Sequence, residues 1–161
     1  MTLQQALKQC GLLVAKTAQD NVNANGDQDF GGGGFRGSIT VLESGDDYVI
    51  VGTPLFYGVW LEWGTGAYAI HGDGRPGWWV YVDEGNASLS NYTPSDQPIR
   101  SKEEAEQVCE NLRKKGLNAF ISNGNPPHPY LQPALDSNKD TIEQMLSNVI
   151  TQQLFKKGGK K

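Results

Sequence analysis

Two stretches of helical apolar periodicity stand at opposite ends of this chain, and what lies between them is short, turn-punctuated and β-like. Near the N-terminus Leu3, Ala6, Leu7, Cys10, Leu13, Val14, Thr17 and Ala18 recur at helical spacing, with Gln4, Gln5, Lys8, Lys16 and Gln19 largely on other faces. The spacing predicts a helix from about Thr2 to Val22, ending where Asn21, Asn23, Asn25 and Gly26 bring turn chemistry. Toward the C-terminus Leu131, Leu135, Asn138, Ile142, Met145, Leu146, Val149 and Ile150 trace a second helix. It is expected to open near Pro133, since a missing N–H costs nothing in a first turn. Each stripe must be covered, and the intervening β-like segments are the available cover. That points to an α+β fold: a small, mostly antiparallel twisted sheet packed against long N- and C-terminal helices.

The middle of the chain supplies the strands. After the first helix, GDQDFGGGGF contains Gly31, Gly32, Gly33 and Gly34 in a row, so its backbone entropy predicts a mobile loop. Phe35–Leu42 and Tyr48–Gly52 are β-branched or aromatic runs joined by the polar Glu43–Asp47, which reads as a β-hairpin. Phe56, Val59, Trp60 and Trp63 then fall at helical intervals, predicting a short helix or turn with one strongly apolar side; strand geometry is the alternative. Trp78–Val82 reads as a strand after the glycine-rich HGDGRPG loop. Ser101 with Glu104 forms a capping-box pattern for a helix from Lys102 to Lys115, stopped by Gly116 and followed by a short strand at Leu117–Ile121. Roughly Asn86–Ser122 thus reads as an inserted strand–helix–strand embellishment within a single domain of residues 1–155. Phe155 and the KKGGKK tail, residues 156–161, have nothing to bury and are expected to fray or remain disordered.

Composition narrows the function classes. A chain of 161 residues can bury a core without metal or disulfide staples. Cys10 and Cys109 match no CxxC spacing and lie on helical apolar stripes, so both read as small buried hydrophobes suited to a reducing cytoplasm. No apolar run approaches the ~18 residues of a membrane span, and glutamines interrupt the apolar positions of the N-terminus as no signal peptide would. The expectation is a product that stays soluble in the cell that makes it. Net charge is −4, but four of the 14 basic residues are Lys156, Lys157, Lys160 and Lys161; the rest of the chain has 10 basic against 18 acidic residues. An acidic body argues against a nucleic-acid surface, although the lysine tail by itself could attract DNA or an acidic protein face.

Candidate chemistry is sparse. Asn21, Asn23, Asn25 and Gly26 superficially open a calcium loop, but its twelfth position is Gly32 where a bidentate Glu belongs. His71 with Asp73 could form an acid–base pair, and His128 could join them at a metal; a zinc enzyme needs a third strong ligand and an activated water. GDGRPG lacks the Lys-Ser/Thr ending of a P-loop, leaving only weak phosphate binding through Arg75. Glu62, among Trp60, Leu61 and Trp63, requires backbone N–H donors or an arginine, Arg36 or Arg75, to be tolerated there. Of the aromatics Tyr57, Trp60, Trp63, Trp78, Trp79 and Tyr81, most should be core. Strand alternation places Trp79 and Tyr81 opposite Trp78, Val80 and Val82, which makes Trp79 and Tyr81, with Gly31–Gly34, the candidate protein interface.

Two distant segments, YGVWLEWGTG at Tyr57–Gly66 and PPHPYLQPALDSNKDTIEQML at Pro126–Leu146, resemble the "YA-x-x-V-E-x-GT" stretch and the "P-F-L-x-PAL" run opening a terminal helix in the minor tail or tail-completion (neck) proteins of long-tailed bacteriophages. Glu62, Gly64, Thr65, Pro129, Leu131, Pro133, Ala134 and Leu135 match as they stand; Trp63 and Tyr130 replace the family's usual Phe. The embellishment at Asn86–Ser122 departs from the family, whose matching strands are often joined by a shorter hairpin. The resemblance implies a virion-morphogenesis protein with no enzymatic activity and no cofactor or metal. It further implies docking to tail-tube, tail-terminator or head-connector proteins, a ring of copies in the virion, and residence in the tail or neck after assembly in the bacterial cytoplasm. A small metal-dependent hydrolase and a nucleic-acid-binding module are the alternatives of other classes.

Overall fold

The computed structural model describes residues 1–24, 34–72, 74–85, 88–91 and 98–158. The fold class is α+β, with long terminal helices and two small antiparallel sheets. The chain divides into two compact units, one of Met1–Glu62 with His128–Lys161 and the other of Trp63–Pro127. This second unit is wider than the expected insertion at Asn86–Ser122. The reason is backbone pairing: Thr65 N–H donates to Asn125 C=O (2.9 Å) and Ala67 N–H to Asn123 C=O (2.8 Å), so the turn after Glu62 belongs with the segment beyond Ser122.

In the first unit, α1 (Leu3–Ala24) starts with a reciprocal cap: Thr2 Oγ1 accepts from Gln5 N–H, and Gln5 Oε1 accepts from Thr2 N–H. It buries Ala6, Cys10, Val14, Ala18 and Val22, the stripe expected from the periodicity. A short α2 (Gly34–Ser38) replaces the start of the expected first strand. Phe35 is the cause: it anchors fully buried against Tyr57 and Tyr130, and the Ser38 hydroxyl donates to Phe35 C=O, closing a helical turn instead of an alternating strand. The hairpin follows, with β1 (Thr40–Ser44) antiparallel to β2 (Val49–Gly52) and one bulge between Val41 and Glu43.

After α3 (Gly58–Trp63), the chain returns to this unit as α5 (Leu131–Gly158), which runs antiparallel to α1. Asn21 Nδ2 donates to Tyr130 C=O (3.1 Å) and Asn138 Nδ2 to Thr17 Oγ1 (3.0 Å), fixing the register of the two helices. Val14, Ala18, Val22, Phe35, Ile39, Leu61, Tyr130 and Ala134 form the core, with Leu131 and Ile142 packed against it. The expected stripe of α5 is largely kept: Val149 is buried and Leu131, Asn138, Ile142, Met145 and Leu146 are partly buried, but Ala134 takes the buried place in the first turns, while Leu135 and Ile150 at the edges of the stripe stand half in water. Alanine lets α1 approach closely at that turn, and a leucine there would hold it off. The helix also continues through Gly158, past the fraying expected from Phe155 onward.

In the second unit, β3 (Trp79–Gly85) lies between β4 (Ser88–Asn91) and β5 (Asn118–Ser122), antiparallel to both. The helix α4 (Lys102–Lys114) covers one face of β3 and β5. Ser101 caps it by accepting from Glu104 N–H (3.1 Å), as the capping-box pattern predicts. Val80, Val82, Ile99, Ala105, Cys109, Leu112 and Ala119 close the core of this unit, so both cysteines of the chain are free and buried.

Candidate functional site

Glu62 is the buried charged residue of the described core, 7% exposed at the end of α3. Its carboxylate accepts three backbone hydrogen bonds from the start of α5: Tyr130 N–H and Leu131 N–H reach Oε2 at 2.8 and 2.9 Å, and Gln132 N–H reaches Oε1 at 2.9 Å. The next residue, Pro133, has no N–H to satisfy. One side chain and one proline thus settle all the donors that the first turn of a helix leaves without partners. The negative charge also sits at the positive end of the α5 dipole. Of the two options open in the sequence, backbone donors rather than an arginine hold this carboxylate. Arg36 reaches Asp20 and the Gln19 carbonyl, and Arg75 lies over the Trp79 ring.

The neighbours of Glu62 reinforce the join. His128 N–H donates to Leu61 C=O (2.7 Å), tying the residue before Glu62 to the segment that opens α5. Tyr130 is buried with its ring edge on Phe35, and its hydroxyl donates to Gly58 C=O at 3.3 Å, a bond that a Phe there would lack. Burial, with the Glu62 charge adding to it, pushes the Tyr130 hydroxyl up to about 12. In the second unit Gly64 and Gly66 adopt φ of +74° and +59°. A side chain on Gly64 would press on Tyr68 C=O, and one on Gly66 would collide with Asn123 C=O, so the glycines around Thr65 are set by both conformation and space. Thr65 Oγ1 accepts from Asn125 N–H at 2.9 Å.

The matching residues thus have definite places. Glu62, Leu131, Pro133 and Ala134 meet at the α3–α5 junction, Gly64 and Thr65 shape the turn that follows, and Leu135 lies half-exposed in the first turns of α5.

The aromatic residues distribute differently from the sequence expectation. Trp79 is buried: its Nε1–H donates to Pro76 C=O (3.0 Å), and the Arg75 guanidinium covers its ring 3.2 Å from the centroid. It is therefore not an accessible interface side chain. Tyr81, the other candidate on that strand, is half-buried, stacks on Phe120 and accepts from Arg75 Nη1. The strongly apolar side expected for Phe56–Trp63 turns outward instead. Phe56 is 73% exposed and Trp60 52%, the two rings meeting edge to face at 5.3 Å, with Val59 and Trp63 exposed on the same helix. Leu61 and Glu62 take the inward positions, because the carboxylate must reach the α5 N–H groups. Spacing alone could not find this face, since the residue that sets the rotation of α3 is the charged one.

The remaining candidates resolve as follows. Asn21 is engaged with Tyr130, and the rest of the calcium-like stretch, 25–32, lies outside the described residues. So do Asp73 and Gly31–Gly33 of the expected mobile interface loop; Gly34 opens α2. His71 packs edge to face on Trp63, while His128 belongs to the other unit. Among the described residues no group of three or more His, Cys, Asp or Glu side chains could hold a metal ion, and no helix is long and apolar enough to cross a membrane. Neither a protein-family model, nor a curated protein, nor a solved structure matches the chain.

Proposed function

We propose that this chain is a structural, non-enzymatic protein of a long-tailed bacteriophage, a component of the tail or neck that helps complete the tail and join it to the head connector. One observation carries the reading. The two segments that bear the resemblance, distant in sequence, meet as a single structural device in which the Glu62 carboxylate caps the helix opened by Tyr130–Pro133. A carboxylate so engaged has three of its roughly four lone-pair sites committed to backbone donors, which suits a scaffold and leaves it poorly placed as a general base. The outward aromatic face at Phe56, Val59 and Trp60 has the chemistry of an interface centre: large rings, no charge, a surface that a partner can dry. Tail-tube, tail-terminator or connector proteins are the partners, and the mature location is the virion after assembly in the bacterial cytoplasm.

The test is complementation. Particles assembled without this chain should accumulate as separate heads and tails, and the wild-type protein should restore joined, infectious virions. A Phe56→Ser, Trp60→Ser double variant should keep its native circular dichroism but fail to restore joining, while His71→Ala with His128→Ala should restore it fully. Normal joined virions formed in the absence of the chain would refute the reading.

A further inference from the structure

The helix α5 carries two apolar features that its own fold cannot bring together. The first is a groove of about 310 Å³ bounded by α1, β2 and the first turns of α5, with Leu7, Gly11, Val49, Val51, Leu135 and Ile142 among its walls. The second is the far end of the same helix, where Ile150, Leu154 and Phe155 are 46%, 66% and 78% exposed. Asn21 opposes Tyr130 and Thr17 opposes Asn138. Continuing that antiparallel register puts the start of α1 opposite roughly residue 151, so Leu154 and Phe155 lie beyond the helix that covers the rest of α5. Along the axis, Leu154 is about 18 Å from Ile142 at ~1.5 Å per residue. A continuous helix cannot fold its end into a groove that its own earlier turns line; any such contact joins two copies.

Charge identifies a second copy as the occupant. After Glu143 the only charged side chains are Lys156, Lys157, Lys160 and Lys161, a net +4, whereas residues 1–62 and 128–143 hold four basic against ten acidic residues, a net −6. Beside the groove, Asp46 and Asp47 are exposed on the turn leading to Val49, and Asp136 is exposed next to Leu135; Lys8 and Lys139 are the basic residues on the adjoining turns. The chain therefore carries a basic, apolar helix end and an apolar groove set in a net-acidic body, complementary in both hydrophobicity and sign.

We infer that the C-terminal end of α5 in one copy seats Ile150, Leu154 and Phe155 in the groove between α1, β2 and α5 of a second copy. The contact uses two different surfaces of each copy, so it is head-to-tail, and it closes into a ring or continues as a chain. It stands on these surfaces alone and does not require the tail-protein reading.

Sedimentation velocity over a concentration series tests it with two variants, one altered at the helix end (Leu154→Glu with Phe155→Glu) and one in the groove (Leu135→Glu). All three positions are about half exposed or more, so native circular dichroism is expected; should Leu135→Glu lose it, Leu135→Gln takes its place. The wild type should associate reversibly, less so in high salt. Each variant alone should show a dissociation constant raised about tenfold or more. An equimolar mixture of the two should form dimers and stop there, because one partner retains an intact groove and the other an intact helix end. A wild type that remains monomeric at every soluble concentration, variants that associate like the wild type, or a mixture that stays monomeric would each overturn the contact.

Discussion

Replacing Glu62 is the most direct probe of how this chain is held together. In Glu62→Ala three N–H groups at 2.8–2.9 Å lose their acceptor, and the Tyr130 N–H among them is fully buried. Hydrogen bonds to a charged group contribute about 1.5–3 kcal/mol each, and the helix-end charge adds about 0.3–1 kcal/mol. The donors of Leu131 and Gln132 are only partly buried, so water can replace part of their loss. The expected net cost is about 3–5 kcal/mol, a large share of the ~5–15 kcal/mol available to a typical domain. Glu62→Gln should cost less, about 1.5–3 kcal/mol: its amide oxygen keeps the Tyr130 and Leu131 donors, while its NH₂ faces the Gln132 N–H, donor against donor. Urea titration followed by circular dichroism and tryptophan fluorescence reads both, with an unchanged slope showing that stability alone has moved. A loss below about 1 kcal/mol in the alanine variant would show that the carboxylate does not hold α5. Equal losses for alanine and glutamine would show that the negative charge, rather than side-chain shape or the two bonds an amide oxygen keeps, sets the cost.

Three further outcomes follow from the same geometry. Gly66→Ala combines a left-handed backbone, worth about 1–2 kcal/mol against a side chain, with a collision at Asn123 C=O, and should lower the unfolding midpoint of its unit accordingly; an unchanged midpoint contradicts the turn. Because the folded Tyr130 hydroxyl titrates near 12 and the unfolded one near 10, the folded state holds this proton more tightly. The stability it contributes is present below pH ~10 and is lost as pH rises toward ~12, by at most about 2–3 kcal/mol, and Tyr130→Phe should remove that part of the alkaline decline. Ile142→Ala, which packs against the core, should cost about 2–3 kcal/mol, and Leu135→Ala, half in water, less than about 1 kcal/mol; the reverse order in denaturant titration would mean the helix is rotated from its described face.

Much of the fold was legible because its elements carry local signals. The N-terminal stripe, the Ser101–Glu104 cap, the hairpin at Tyr48–Gly52 and the burial of Cys10 and Cys109 all follow from spacing and residue type, and the structure places them there. What failed has one common cause: a specific tertiary or neighbouring-loop contact outranked a periodic pattern. Phe56–Trp63 has helical apolar spacing, yet Leu61 and Glu62 turn inward because Glu62 has a partner in α5. Leu135 fits the apolar period of α5, yet Ala134 faces the core because α1 approaches closely there. Trp79 alternates outward on its strand, yet Arg75 and Pro76 cover it. For Glu62 the sequence contained half of the signal, a carboxylate among tryptophans that required either backbone donors or an arginine, and only the fold decides for the donors of α5.

The location of those donors explains why the start of α5 depends on tertiary structure. The residue at its N-cap position is Tyr130, preceded by PPHP, so no Ser, Thr, Asp or Asn stands where a local cap would be. Without an acceptor the first turn would leave Tyr130, Leu131 and Gln132 N–H groups open, and a helix nucleus is already unfavourable on its own. Glu62 supplies the acceptor only when α3 is in place, and the chain leaves the first unit at Glu62 and re-enters it at His128. The cap therefore forms only on return from the whole Trp63–Pro127 excursion. Lengthening such an excursion costs little, since closure entropy grows only with the logarithm of loop length, about 0.6 kcal/mol per doubling. A strand–helix–strand unit with its own core can thus be carried between Glu62 and His128 while the α3–α5 junction, closed by one carboxylate and one proline, keeps its geometry.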